Sequence, residues 1–507
     1  MKINRPNTSI TGRGDAITYI GISVLFIIIN LVTLHNLMPW VDEVMFLDTS
    51  YNAAMHGHWE TTAWYRVMGE YPFSTYPPLY QMVSAVWIRL FGGSLIAVRS
   101  LNILITFLLG GVCLRLIKRH AQPITPWAIV VFAILLWCTS EMAWMYRNGR
   151  PDLLGALLSV MTTESIIAFF NTGSRKTRAT VVALSALIVC SGFQTAVYLG
   201  AIWLFLLIIL RGRRREVWRL LPYLLTGIII GIAVMALFMA AHGRLMAFGS
   251  SVIQFSATLS SIIVAILPLL GQWLGFDPLP YTQKLVELST ESSLADRFLS
   301  LLQFRSFLIL FFITLLAYIV EYRRRLRQLA SDKGFLLLLF AAYVPIVMTL
   351  AGRFAEYYRW MAFLPLLASI VLLTTRSRLW CGVLILTAVV ISWFGIKSML
   401  PDDNCRYDNI RQFVERQSFK KSDAVVCPFM TFYEMKPLCD TCYFVGIFPI
   451  EFIDHVDYII ESPDGDTFDR NISDYIDSLK HMQDIELIET DRTENPSLIL
   501  YKIQPHD

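Results

Sequence analysis

Long apolar runs follow one another along the chain, and most are long enough to cross the hydrocarbon core of a bilayer as a helix. They cover about 18–38, 95–117, 125–145, 151–171, 179–191, 194–210, 219–241, 305–321, 334–351, 360–375 and 379–399. The pattern predicts a polytopic α-helical membrane protein with about eleven transmembrane helices. The pair 179–191 and 194–210 is short and hinges at Ser191-Gly192. Two further apolar segments, 79–91 and 251–275, do not fit as crossings, because counting either alone inverts the loops that follow. Both are expected as interfacial or re-entrant helices on one face.

Charge then orients the spans. One kind of polar segment is basic: Arg115, Lys118 and Arg119; Arg175, Lys176 and Arg178; Arg211 and Arg213 to Arg215; Arg323 to Arg325 and Arg327; Arg376 and Arg378. The other kind carries acids, aromatics and prolines: Asp42-Glu43, Tyr76-Pro77-Pro78, Arg150-Pro151-Asp152 and Glu356-Tyr357-Tyr358-Arg359. Basic loops stay cytoplasmic, which predicts a cytoplasmic N-terminus and an extracytoplasmic C-terminal part. The first run follows Lys2, Arg5 and Arg13 and lacks a small-residue cleavage site, so it reads as an uncleaved first span. Composition agrees: 55% of the 507 residues are hydrophobic and 16% charged, with a mean hydropathy of +0.53. A soluble domain could not hide that much apolar surface. The net charge of +4 is small and the basic residues serve topology, so no nucleic-acid partner is expected.

Two domains are predicted. Residues 1–400 form the membrane part, with extracytoplasmic loops at 39–94 and 242–304. The first loop is long enough to need short helices of its own, and Val44 to Met55 is expected along the membrane surface. Residues 401–507 form a small extracytoplasmic α/β domain. There the β-like runs Ala424–Val426, Tyr458–Ile460 and Leu498–Leu500 alternate with helix-like segments at Tyr407–Glu415 and Ile472–His481. Cys405, Cys427, Cys439 and Cys442 all lie in that domain, which predicts one or two disulfides and an oxidising compartment. Cys113, Cys138, Cys190 and Cys381 lie in apolar runs and read as packing residues.

Chemistry is sought on the outer face. Asp42-Glu43 follows the first span, where a carboxylate can act as a general base toward a hydroxyl or hold a divalent metal; it can equally be a solvated acidic pair. Pro151 and Asp152 are ordinary choices for a helix start. Arg147 and Arg150 are not so explained, because they crowd an outer loop against the charge rule, and two cations there suit a phosphate. Arg359 beside Tyr357 and Tyr358 suits a lipid-linked phosphate, though aromatics at that depth also form an interfacial belt. Tyr76-Pro77-Pro78 sets a rigid turn. His56, His58 and Glu60 read as a solvated cluster, and no metal site is assigned.

The order of these pieces carries a resemblance. A first span ending in Asp42-Glu43 is followed by a long outer loop and the run Tyr76-Pro77-Pro78-Leu79. Leu90-Phe91-Gly92 and Arg99 come next, then Arg150-Pro151-Asp152 before the fourth span. This resembles the GT-C glycosyltransferases of the protein O-mannosyltransferase and lipid A aminoarabinose transferase type, most clearly over residues 38–155. The soluble tail opening at Arg406-Tyr407-Asp408 is similar to bacterial members. The lipid A enzymes carry Lys where Tyr76 stands, and many bacterial relatives carry Lys near Gln194.

The resemblance implies a bacterial cytoplasmic (inner) membrane enzyme. It would move a sugar from a polyprenyl-phosphate donor to a lipid, glycan or protein hydroxyl on the outer face, with inversion. Asp42 matches the catalytic acidic position, with Glu43 beside it. Arg150, Arg359, Arg147 and Arg66 are the candidate donor-phosphate ligands; Tyr76, Asp152, Tyr357 and Tyr358 are the candidate positioning residues. No organic cofactor is implied, and a divalent metal stays open. The rival reading is a transporter or flippase of lipid-linked sugars. That would call for charged residues mid-span and a repeat between halves, whereas the spans are clean and their polar groups sit at the outer ends.

Overall fold

The computed structural model describes residues 13–63, 77–120, 124–245, 305–323, 333–350, 358–397, 407–444, 455–463, 476, 479, 485–494 and 496–505. The membrane part begins with α1 (Arg13–Thr33), a 3-10 turn at Leu34–Asn36 and α2 (Val41–Met55). After α3 (Leu79–Phe91) come α4 (Leu95–His120), α5 (Pro126–Cys138), α6 (Ser140–Arg147), α7 (Asp152–Thr172), α8 (Arg175–Ser191), α9 (Phe193–Ile209) and α10 (Arg214–Ala241). The bundle continues with α11 (Arg305–Tyr322), α12 (Lys333–Leu350), α13 (Trp360–Arg376) and α14 (Arg378–Lys397).

Every one of the eleven predicted runs is helical, but length separates them. Among the described residues, α1, α4, α7, α10 and α14 are long and apolar enough to cross a membrane, and α5 with α6 makes a sixth, bent by 58° at Thr139. Helices α3, α9, α11 and α13 are apolar but shorter. The chain is therefore a multi-pass helical membrane protein, with fewer full-length spans among the described residues than the pattern predicts. The short pair hinged at Gly192 is present as α8 and α9, of 17 residues each. Segment 251–275 lies outside the described residues.

Side-chain size sets how closely these helices approach. A Cβ at Gly227 would lie 2.5 Å from the Val182 carbonyl oxygen, and one at Gly231 would lie 2.7 Å from that of Ala186. This small-xxx-small pair on α10 therefore lets the helix touch the backbone of α8. The opposite kind of surface runs along α1, where Ile17, Ile20, Val24, Leu25, Ile28 and Val32 are exposed, as a lipid-facing stripe must be.

One expectation is corrected here. Segment 44–55 does not lie along the membrane surface. It belongs to α2, and eleven of the fifteen residues of that helix are buried, including Glu43, Asp48, Thr49, Ser50 and Asn52. A surface helix would leave those polar groups in water. In α2, Glu43 meets Arg99 of α4 and Tyr433 of the C-terminal domain, Asp48 meets Lys436 of that domain, Ser50 donates to the Phe46 carbonyl and Asn52 to that of Glu60.

That domain opens with α15 (Tyr407–Arg416), whose buried stripe is Tyr407, Ile410, Phe413 and Val414, the spacing of one helical face. Five strands follow, with a single-turn α16 (Phe432–Met435) after the first: β1 (Ala424–Cys427), β2 (Thr441–Phe444), β3 (Tyr458–Glu461), β4 (Ile485–Thr493) and β5 (Leu498–Pro505). They form one sheet in the order β2-β1-β3-β5-β4. β1 is parallel to β2 and β3, and β5 is antiparallel to β3 and β4. The three strands read from apolar runs are present. β2 and β4 were not legible, because β2 is only four residues long and β4 is interrupted by acids. Of the predicted helix at 472–481, Ile476 and Leu479 are helical and buried, and the rest lies outside the described residues.

Among the described residues the expected disulfides are not formed: Cys427, Cys439 and Cys442 are buried free thiols. Their side chains lie against one another, with Cys442 in hydrogen-bond contact with both Cys427 and Cys439, as a packed thiol cluster. The Cys442 thiol instead donates to the carbonyls of Met435 (3.6 Å) and Cys439 (3.5 Å). Burial pushes the Cys442 thiol well above its ordinary pKa. Cys405 lies outside the described residues.

Candidate functional site

The site is organised by the first turn of α2. Trp40 precedes it in extended backbone and supplies no side-chain cap, so the helix start is left to Asp42 and Glu43, which suit its positive end. These adjacent carboxylates point to different partners. Asp42 is one-quarter exposed and accepts a hydrogen bond from Arg150 Nη1. The same guanidinium donates through Nε to Asp152 Oδ2 at 2.8 Å. Arg150 is buried between two rings, 5.5 Å from the Trp40 centroid and 5.4 Å from that of Phe46. One cation is thus shared by two carboxylates, and only one of the two reaches solvent.

The turn that carries Arg150 is held from below. Asn102 Nδ2 donates to the carbonyls of Asn148 and, at 2.9 Å, Arg150. Tyr80 Oη donates to Asn102 Oδ1 at 3.2 Å. Gly149 is needed for the approach, because a Cβ there would lie 2.3 Å from Leu47 Cδ1 and 3.1 Å from Glu43 Cγ.

Glu43 is fully buried, as is Arg99 of α4. Arg99 Nε and Nη2 hold both its oxygens, at 2.7 and 2.6 Å. The remaining Arg99 nitrogen, Nη1, donates to the carbonyls of Leu34 (2.9 Å) and Leu37 where the first span ends. Tyr433 Oη, from the C-terminal domain, donates to Glu43 Oε1 at 2.7 Å. Burial, with the Glu43 carboxylate next in effect, raises the Tyr433 phenol well above its ordinary pKa. Tyr407, whose hydroxyl donates to Glu434 Oε1 at 2.9 Å, is raised by burial and then by that carboxylate.

A second buried pair joins the same helix to the same domain. Lys436 Nζ lies 2.6 Å from Asp48 Oδ1. Asp48 Oδ2 accepts from Thr61 Oγ1 (2.7 Å) and from the backbone N–H groups of Thr62 (2.7 Å) and Ala63 (3.2 Å). Ala63 then pairs in parallel with Phe444, at the edge of β2.

The other predicted residues divide. Arg150 and Asp152 do meet Asp42. Arg147 does not: it is buried and donates to Asn30 Oδ1 (3.0 Å), Thr33 Oγ1 (2.8 Å) and the Thr33 carbonyl, tying α6 to the end of α1. Arg359 is half-buried and precedes α13, with Tyr358 buried beside it. Arg66, Tyr76 and Tyr357 lie outside the described residues. Among the described residues no group of three or more His, Cys, Asp or Glu side chains is placed to hold a metal ion. His56 and His58 stack at 5.9 Å between ring centroids.

Asp48, Tyr80, Arg99, Asn102, Tyr433 and Lys436 were not singled out as site residues from the sequence. Arg99 carried a signal, since a lone guanidinium inside an apolar run requires a partner. Tyr433 and Lys436 carried none, because their partners lie almost four hundred residues away.

No family model matches the sequence, and no curated protein matches it. Solved structures do. The chain is similar to the Archaeoglobus fulgidus oligosaccharyltransferase in complex with zinc and sulfate, at 13% identity and a TM-score of 0.51, covering 88% of this chain and 67% of that one. It is also similar to ArnT from Cupriavidus metallidurans in the apo state, at 12% identity and a TM-score of 0.47, covering 95% of this chain and 98% of that one. These neighbours are GT-C membrane glycosyltransferases. At such identities the likeness is one of fold.

Proposed function

We propose that this protein is a membrane glycosyltransferase that moves a sugar from a polyprenyl-phosphate donor to an acceptor hydroxyl on the extracytoplasmic face. The protein O-mannosyltransferase and lipid A aminoarabinose transferase type is the reading within that class. The observation that carries it is the Asp42–Arg150–Asp152 group: a partly exposed carboxylate held on a buried guanidinium at the end of the first span. The fold it shares with the archaeal oligosaccharyltransferase supports the class.

In this reading Asp42 takes the proton of the acceptor hydroxyl. The freed oxygen attacks the anomeric carbon as the bond to the phosphate oxygen breaks, and the polyprenyl phosphate leaves with that electron pair. Direct displacement inverts the anomeric centre. Arg150 aims Asp42, while Asp152 holds Arg150. Arg359 and Arg66, with Arg150, are the candidate cations for the charge that grows on the leaving phosphate. Glu43 has both oxygens engaged, so it shapes the turn and does not act as a second base. The eleven helices are read as crossings, with the N-terminus inside and the C-terminal domain outside a bacterial cytoplasmic membrane.

The test is a transfer assay with purified protein in lipid nanodiscs, synthetic polyprenyl-phosphate sugars and membrane extract as acceptor. Wild type is expected to transfer. Asp42→Asn is expected to fold and to lose transfer, and full activity in that variant removes Asp42 from the mechanism.

A further inference from the structure

Among the described residues, the segment 432–444 of the C-terminal domain carries a series of contacts to the first outer loop. Phe432 meets Tyr51 of α2 edge to face, with ring centroids 6.2 Å apart. Tyr433 Oη reaches Glu43, and Lys436 Nζ reaches Asp48. The Cys442 carbonyl accepts from Thr62 Oγ1, and Phe444 pairs with Ala63. The two polar anchors on α2 are five residues apart, which at 3.6 residues per turn separates them by about 140° around the helix axis and about 7.5 Å along it. Anchors so placed fix both the rotation and the height of a helix, where contacts along a single stripe would allow it to roll.

Rotation is what the chemistry would notice. Asp42 precedes Glu43 on the same turn, and its carboxylate stands about 5 Å from the axis, so a roll of about 20° moves it by nearly 2 Å. Misplacement on that scale can lower a rate by about a hundredfold. Arg99 grips Glu43 from the membrane side, and Tyr433 is the partner on the soluble side.

We propose that the C-terminal domain belongs to the catalytic unit, with Tyr433 as a positioning residue that sets the aim of Asp42 through Glu43, and Lys436 as its second anchor. The proposal rests on the reading of Asp42 as the base.

Tyr433→Phe tests it, because this variant keeps the ring and removes only the hydroxyl. Tyr501→Phe on β5, in the same domain, is the control. Turnover and donor KM are measured in nanodiscs, with hydrogen exchange of the peptide covering 38–48 and thermal unfolding of each variant. Tyr433→Phe is expected to lower kcat by about tenfold, leave donor KM within about twofold and quicken exchange in the first turn of α2. Its unfolding temperature is expected to match that of Tyr501→Phe.

Wild-type kcat and exchange in Tyr433→Phe overturn the positioning role. So does a loss of turnover that only follows a general loss of folded protein. Lys436→Met adds an independent arm, since an unchanged exchange rate in α2 there removes the second anchor. The two readings separate cleanly: inactive Asp42→Asn with fully active Tyr433→Phe sinks this proposal alone, whereas active Asp42→Asn sinks the base assignment beneath it.

Discussion

Two ion-pair networks start from neighbouring residues of α2, and their difference is instructive. In the inner one, Glu43 meets Arg99 with both side chains sealed from solvent, and Tyr433 completes the set. Formal charges cancel, and each carboxylate oxygen has a partner. In the outer one, among the described residues, Arg150 is shared between the two acids Asp42 and Asp152, and Asp42 remains one-quarter exposed. A closed, balanced network of this kind holds structure, because opening it strands a buried charge. A partly exposed one at a rim can exchange a partner for a substrate or a proton. Adjacency in sequence therefore says little about role: one residue along the helix separates a group available to chemistry from one that is not.

The largest effect expected from this contrast is on rate. Asp42→Asn should lower transfer by about 10³-fold, within the range of a lost general base, while the unfolding temperature stays near wild type. Retained transfer would erase the distinction between the two networks.

Glu43→Gln should act first on stability. It leaves Arg99 charged and buried, and the cost is about 3 kcal/mol or more of stability. The measurement is the yield and thermal unfolding of purified protein, and a variant as stable as wild type would mean that the inner network is not structural.

Arg147→Met should cost about 1–3 kcal/mol by releasing Asn30 and Thr33 at the end of α1, with donor KM unchanged in the folded fraction. A rise in donor KM at unchanged stability would restore Arg147 as a phosphate ligand.

The smallest effect is on pH. Burial raises the phenols of Tyr433 and Tyr407 above their ordinary value of 10.0, so the fold favours their neutral forms. The unfolded phenols ionise near 10.0, so this stabilisation is complete below that pH and declines as the pH rises above it. Thermal unfolding from about pH 8 to 11 should fall more steeply in wild type than in Tyr433→Phe, and equal slopes would count against a buried Tyr433 hydroxyl.

Much of the membrane part was legible in the amino-acid sequence. The eleven apolar runs are helices because a hydrophobic run in lipid must satisfy its own backbone. Asp42 stood out by its place just after the first span, and Arg150 because it crowds an outer loop against the charge rule, whereas Asp152 read as an ordinary helix start. The failures have a common cause. Arg147 has the same composition signals as Arg150, yet it ends α6 facing α1, while Arg150 lies in the turn before α7 and faces Asp42. Segment 44–55 was expected along the membrane surface, but its Asp48 is answered by Lys436, the Thr61 hydroxyl and the backbone of Thr62 and Ala63. The cysteines suggested disulfides by number, and number does not separate a bridged pair from the packed free thiols of Cys427, Cys439 and Cys442.

The chain by itself determined that this is a multi-pass membrane protein with a small α/β tail, and that acids and arginines gather at one end of its spans. Those features follow from local hydropathy and charge, which water and lipid read residue by residue. Only the tertiary structure decided which acid meets which arginine, and that the tail reaches back to clamp α2. Such choices depend on contacts between residues far apart in the chain, at distances where a single turn of helix exchanges one partner for another.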